Sequence, residues 1–176
     1  MKETTPMRTI ALAVAAILTA ALTAFVAPGQ AGAGEPLPPV TDPLVRKECG
    51  DCHMPFAPQM LPRRSWVALM NGLDDHFGEK ATLPAATRQA IVTYLTGHAG
   101  DVTRTREGGK FMASIPGDRT PLRITETGRF LRKHNAGEVP PDAWQRKAVG
   151  SKANCPACHL RAEQGNYDEG AIRIPR

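Results

Sequence analysis

The sequence predicts a mainly α-helical protein built as two small lobes. Three observations carry that expectation. Apolar residues recur at helical spacing in several short segments, and no alternating run is long enough for a useful strand. The four cysteines fall into two copies of one five-residue pattern, far apart in the chain. Between the copies, residues 97–121 are rich in Gly and Pro, carry several charges and show no periodicity.

The N terminus reads as a targeting segment. Lys2 and Arg8 precede the apolar run Ile10–Val26, and Pro28, Gly29 and the triplet Ala31-Gly32-Ala33 follow. A basic start, an apolar middle and an A-x-A site make a secretory signal peptide over residues 1–33, cut after Ala33. The alternative is an uncleaved anchor, since the run is at the short limit for a spanning helix. The breakers and the A-x-A site favour cleavage. Either reading exports the rest of the chain, and a periplasmic location is expected.

Residues 34–41 are an extended leader. Asp42-Pro43 has the form of an N-cap and first-turn proline, and the helix it starts runs into Cys49. Pro55, Pro58 and Pro62 make 54–62 a loop. Trp66, Leu69, Met70 and Leu73 predict a helix over 63–73. Thr82 as cap and Pro84 in the first turn predict another over 83–97, buried along Ile91, Tyr94 and Leu95. A helix is expected over 126–134, with Phe130 and Leu131 just before His134. A short one over 141–149 carries Trp144, and a last one runs from Cys155 to Gly165. The expected organisation is an N-terminal lobe over 34–98, a linker over 99–121 and a C-terminal lobe over 122–176.

The cysteine pattern carries the chemistry. Cys49-Gly50-Asp51-Cys52-His53 and Cys155-Pro156-Ala157-Cys158-His159 are both C-x-x-C-H, the attachment signature of c-type haem. On a helical turn residues i, i+3 and i+4 share a face. Two sulfurs there reach the two vinyl groups on one haem edge, and the next histidine turns its ring to the iron. Zinc-binding pairs usually sit about 15–20 residues apart, far closer than these. A thioredoxin-like pair needs a βαβ setting that is not seen, and plain disulfides leave the histidine after each pair unexplained. Two covalently bound haems c are expected, held by Cys49, Cys52, Cys155 and Cys158, with His53 and His159 on the irons.

Composition agrees. Five Phe, two Trp and two Tyr against 16 Pro and 16 Gly make a poor core, and such a chain usually needs a staple or cofactor. The net charge of +5 would be largely offset by haem propionates. No basic block interleaved with aromatics appears, so nucleic acid is not an expected partner.

Each iron has a second axial position. His76, beside a helix end and an aromatic, and His134, at the end of a helix, are one well-placed histidine per lobe. Met60 or Met70 in the first lobe and Met112 in the second are alternatives, as is an open site, and Met54 is also available. The choice bears on potential, because a Met/His pair raises it. His98, next to Gly97 at a helix terminus, reads as a lone surface histidine.

The sequence resembles the bacterial dihaem cytochrome c family often called DHC, over roughly residues 43–176. The carrying residues are Cys49–Met54, Met60-Leu61-Pro62, Ser65-Trp66 and Leu73-Asp74-Asp75-His76-Phe77-Gly78-Glu79. Later come Arg123-Ile124-Thr125, Phe130–His134, Asn154–His159, and Ala162-Glu163-Gln164-Gly165 through Ile174-Pro175. The resemblance implies two haem-packed helical lobes with His/His ligation, His76 distal on the first haem and His134 on the second, and no ligand role for His98. It also implies electron exchange with a membrane b-type cytochrome and a small soluble c-type haem protein that binds oxygen.

The expected function is low-potential electron transfer from a membrane quinol or b-type cytochrome to a soluble haem protein or reductase. A bis-His iron has no vacancy for substrate, which suits outer-sphere transfer. The rival reading is a haem enzyme, a peroxidase or an O2- or NO-handling protein, with one open iron and acid/base groups above it. Asp74 and Asp75 flank His76, but paired Asp at a helix end is usually turn chemistry. A third reading is the electron-entry subunit of a larger reductase. Arg46, Lys47 and Arg161 are candidates to face propionates, against ordinary solvated surface.

Overall fold

The computed structural model describes residues 35–176, and the expected signal peptide lies outside them. Asp42 opens α1 (Pro43–Gly50), its carboxylate accepting from the Leu44 and Val45 amides at 2.9 Å, with Pro43 in the first turn. That helix delivers Cys49 to its own end. The loop after the first motif holds a 3-10 turn, Pro58–Met60, and then α2 (Arg63–Asn71) begins. This helix stops short of Leu73. Gly72 caps it, and Leu73–Asp75 tightens into a 3-10 turn that leads to His76.

The next helix, α3 (Ala85–Gly97), starts at Pro84 with no side-chain cap, so Thr82 does not have the capping role expected of it. Ile91 and Leu95 are buried as expected, while Tyr94 is half-buried. These three helices enclose the larger apolar cluster: Val45, Leu61, Trp66, Met70, Ile91 and Leu95, with Val40, Leu73 and Ala99. Trp66 buries its ring there and satisfies its indole N–H on the Pro58 carbonyl at 2.8 Å.

The stretch expected as a linker is structured. Thr105 caps α4 (Arg106–Met112), accepting from the Gly108 amide. Gly108 and Gly100 both lie against the Gln59 backbone, where a Cβ at Gly100 would meet the Gln59 carbonyl at 2.4 Å. Absence of a side chain, not flexibility, is what these glycines supply. Glu107 on α4 pairs with Lys110 and, at 3.0 Å, with Arg129 of α5 (Gly128–Lys133). Thr127 caps α5, and His134 closes it.

The C-terminal half holds less regular structure than the periodicity predicts. Pro140 and Pro141 leave only a 3-10 turn, Pro141–Gln145, in place of the helix over 141–149. The helix expected from Cys155 to Gly165 is two 3-10 turns, Cys155–Ala157 and Ala162–Gln164. The chain's tail pairs at the break. Arg173 donates its amide to the Cys158 carbonyl at 2.9 Å, and Ile172 pairs with His159 as an isolated β-bridge. The Cys158 carbonyl thus serves the tail, while the Ala162 amide turns to the His159 carbonyl at 2.9 Å. No strand occurs among the described residues, whose regular elements are all α or 3-10 helices.

A second, smaller cluster joins the halves. Leu37 from the leader packs with Ala57 and Met60, and Phe56, Phe111, Ile124 and Tyr167 cover them. Leu37 is fixed by donating its amide to the Gly165 carbonyl at 3.0 Å. Gly165 has φ +73, and a Cβ on it would sit 1.8 Å from the Leu37 carbonyl oxygen. Gly165→Ala is therefore expected to destabilise the folded protein by more than about 2 kcal/mol, from backbone strain plus displacement of the leader. Thermal unfolding followed by circular dichroism checks this; a melting temperature equal to the wild type would show that the leader does not brace the fold.

Candidate haem sites

The first site is assembled from three local devices. The end of α1 presents Cys49 against the larger apolar cluster, where burial, helped by Glu48, pushes its thiol up to about 11. Cys52 and His53 follow in the turn beyond the helix. The His53 Nδ1–H donates to the Met54 carbonyl at 2.8 Å, and its ring stacks on Phe56 at 4.9 Å. A carbonyl can only accept, so Nε2 is left as the lone-pair nitrogen.

The third device is a tight turn. His76 and Glu79 exchange backbone hydrogen bonds at 2.7 and 3.3 Å, with Phe77 at φ +59 and Gly78 at φ +99 between them. Two positive φ values in the centre are the pattern of a type I′ turn. Asp75 accepts from the Gly78 amide at 2.9 Å, which is the turn chemistry expected of that residue. The turn holds His76 facing His53, ring centroids 6.3 Å apart and planes 23° from parallel.

The second site uses different parts. The turn at Cys155 returns the His159 amide to the Cys155 carbonyl at 2.8 Å. Burial pushes the Cys155 thiol up to about 11 and raises that of Cys158 too. His134, at the end of α5, donates Nδ1–H to the Phe130 carbonyl at 3.0 Å and lies flat on the Phe130 ring at 3.9 Å. Trp144 approaches at 6.0 Å. His134 and His159 face each other at 6.0 Å, but their planes cross at 66°. Tyr167 meets the His159 ring edge-on at 5.3 Å, and burial raises its phenol above the usual range.

An imidazole nitrogen binds a first-row metal at about 2.0–2.1 Å, so two rings on one ion have centroids about 6 Å apart. Both pairs have that spacing. Burial holds His76, His134 and His159 below the usual imidazole range, which favours the neutral form that binds metal. Beside His76 lies an open cavity of about 610 Å³ lined by Phe77, Leu122, Arg119 and Arg123. Its walls mix apolar side chains with Arg119 and with Arg123, which pairs with Glu126 at 3.4 Å. The residues present thus fit haem at both places.

The other expected candidates lie elsewhere. Met60 and Met70 belong to the two apolar clusters, Met112 packs over Gly100, and Met54 is buried next to His53. His98 is exposed at the end of α3, with Nδ1 on the Tyr94 carbonyl at 2.8 Å. Lys47 pairs with Glu48 at 3.1 Å, and Arg46 and Arg161 are exposed, the solvated alternative for all three. Sequence reasoning missed Phe56, and gave Arg123 and the segment holding Tyr167 only as part of the resemblance, with no role at a haem site. Arg123 places its guanidinium 3.7 Å from the Phe77 ring centre. None of these stands in a C-x-x-C-H motif, and only long-range packing shows what each touches.

Thioether attachment needs paired thiols and axial binding needs neutral imidazoles. The chain supplies both twice, which defines the class: a c-type protein with two covalently bound haems. The chain belongs to the dihaem cytochrome c family, whose model matches residues 45–167. It is similar to the diheme cytochrome c from Rhodobacter sphaeroides: 44% identity over 73% of this chain and 98% of that one, with a TM-score of 0.66. A crystal structure of DHC purified from the same organism aligns at 44% identity with a TM-score of 0.60. The diheme cytochrome from Shewanella baltica OS155 shares 31% identity over 76% of this chain and 92% of its own, with a TM-score of 0.59. No curated protein matches the chain.

The His76 turn gives a direct test of the first site. Gly78→Ala forces a side chain onto φ +99 at a cost of about 1–3 kcal/mol. The reduced variant is expected to bind CO at the first haem only, seen in optical difference spectra. A variant as silent to CO as the wild type would show that the turn is not what holds His76.

Proposed function

We propose that this chain is an exported, low-potential electron-transfer protein with His/His ligation at both irons. His53 with His76 would serve the haem on Cys49 and Cys52, and His134 with His159 the haem on Cys155 and Cys158. The observation that carries this is the two facing imidazole pairs, at 6.3 and 6.0 Å, each beside one cysteine motif. Haem supplies a reversible one-electron couple. The chain's own residues do the rest. The Met54 and Phe130 carbonyls fix the tautomers of His53 and His134, which keeps Nε2 free and strengthens each ring as a donor.

Two imidazoles on each iron would leave no position for a substrate, and strong nitrogen donors would favour the oxidised state. Met would raise the potential. Phe130 flat on His134 and Phe56 on His53 hinder reorientation of the rings, so little should move on reduction. The family resemblance supports a membrane quinol or b-type cytochrome as donor and a small soluble c-type haem protein or reductase as acceptor. An exported location rests on the sequence of residues 1–33. No helix among the described residues is long and apolar enough to cross a membrane.

Optical and EPR spectra of the matured protein test the reading, with CO added after reduction. Two low-spin haems per chain that ignore CO are expected. A high-spin or CO-binding haem would replace electron transfer with an open-iron enzyme. In the His76→Ala variant CO should bind the first haem and leave the second untouched. The ring planes add a finer expectation. Parallel imidazoles split the iron d-orbitals along one direction, while crossed ones cancel that splitting. The ferric protein should therefore show two distinct low-spin EPR signals, the more anisotropic from the second haem, whose rings cross at 66°. One signal integrating to both haems would contradict the difference in ring planes.

A further inference from the structure

We propose that the Tyr167 hydroxyl accepts the Nδ1–H of His159, and so sets how strongly that imidazole donates to the second iron. The proposal goes beyond the His/His reading but rests on its assignment of His159 as a ligand.

Three rings in this chain share one arrangement. His53, His98 and His134 each place Nδ1 2.8–3.0 Å from a backbone carbonyl. His159 does not. Its Nδ1 is buried with no partner, and the Tyr167 hydroxyl is also buried with no partner. The two rings touch edge-on, 5.3 Å between centroids at 63°. Buried polar groups in folded proteins are nearly always paired, and these are two orphans on adjacent rings. A ring N–H can only donate and a phenolic oxygen can accept, so their chemistry is complementary. The link is direct after a small side-chain rotation, or passes through one buried water.

The backbone around Tyr167 is built to hold it there. Asn166 donates its amide to the Arg161 carbonyl at 3.0 Å, and its side chain accepts from the Asp168 amide at 2.9 Å. Gly165, just before, is locked against Leu37. The half-buried Tyr167 side chain packs on the small cluster of Leu37, Ala57 and Met60, with its hydroxyl shielded from solvent. Tyr167 is thus a positioning residue. An acceptor on Nδ1–H makes the opposite nitrogen a better donor, which favours ferric iron and lowers the potential.

Tyr167→Phe keeps the ring and removes the oxygen. With both haems attached and low-spin, the second haem's midpoint potential should shift positive and the first should stay. The labile His159 Nδ1 proton, followed by NMR in the reduced protein, should exchange with solvent faster. Unchanged potential and exchange would overturn the assignment, as would equal shifts at both haems, which signal general loosening. If the variant does not mature, the wild type still decides. Cross-relaxation between the Nδ1 proton and the Tyr167 ring supports the link, and its absence overturns it. A wild-type His159 ring without haem ring-current shifts would instead remove the ligation reading itself, and the Tyr167 assignment with it.

Discussion

The space between His134 and His159 is the constraint on which the C-terminal half depends. Past Thr127 the buried apolar residues are Phe130, Ala143, Val149 and Ala162, and no apolar cluster is formed by them. Four such side chains bury little surface, and small cores rarely hold a fold alone. What the half has instead is a ring of aromatic faces, Phe130, His134, Trp144, His159 and Tyr167, turned toward one another. A flat apolar cofactor tied down by two thioethers converts those faces into a core. The N-terminal half is less dependent, since Trp66, Ile91, Leu95 and their neighbours pack without help.

Turns, more than helices, set the geometry around these sites. His76 hangs on a four-residue turn with two positive φ values, and His159 follows a single 3-10 turn. A hydrogen bond braces each turn: the local one from the Gly78 amide to Asp75 in the first, and the long-range one from the tail's Arg173 amide to Cys158 in the second. The halves are then braced by three long-range contacts. The leader is locked onto Gly165, Glu107 spans α4 and α5, and the small cluster places Phe56 and Tyr167 on shared apolar neighbours. These contacts tie the leader, α4 and the small cluster to the C-terminal half.

The two sites are alike in chemistry and unlike in detail. His53 has a carbonyl on Nδ1 and a nearly parallel partner ring. His159 has no carbonyl and a crossed partner. Arg123 sits over Phe77 next to His76, while the second site is lined by Trp144 and Phe130. Electron density at an iron follows its ligands' basicity, nearby charge and burial. On the proposed His/His reading, these differences would give the two irons unequal surroundings without any change of ligand type.

The sequence by itself determined the attachment chemistry and most of the helices. C-x-x-C-H is local: the spacing i, i+3, i+4 is enough to bring two thiols and an imidazole together. Asp42-Pro43 likewise announces α1, and the apolar spacing of Trp66 and Met70 announces α2. Local signals failed where distant atoms intervened. The tail pairs with the Cys158 carbonyl where a continuous helix was expected, and the expected linker over 99–121 holds α4, with Gly100 and Gly108 packed against Gln59. Only the tertiary structure decided which histidine faces which, at what ring angle, and that Tyr167 lies beside His159. The reason is physical: a covalent motif is complete within one turn of chain, whereas a facing pair of imidazoles is closed by packing between residues far apart in sequence.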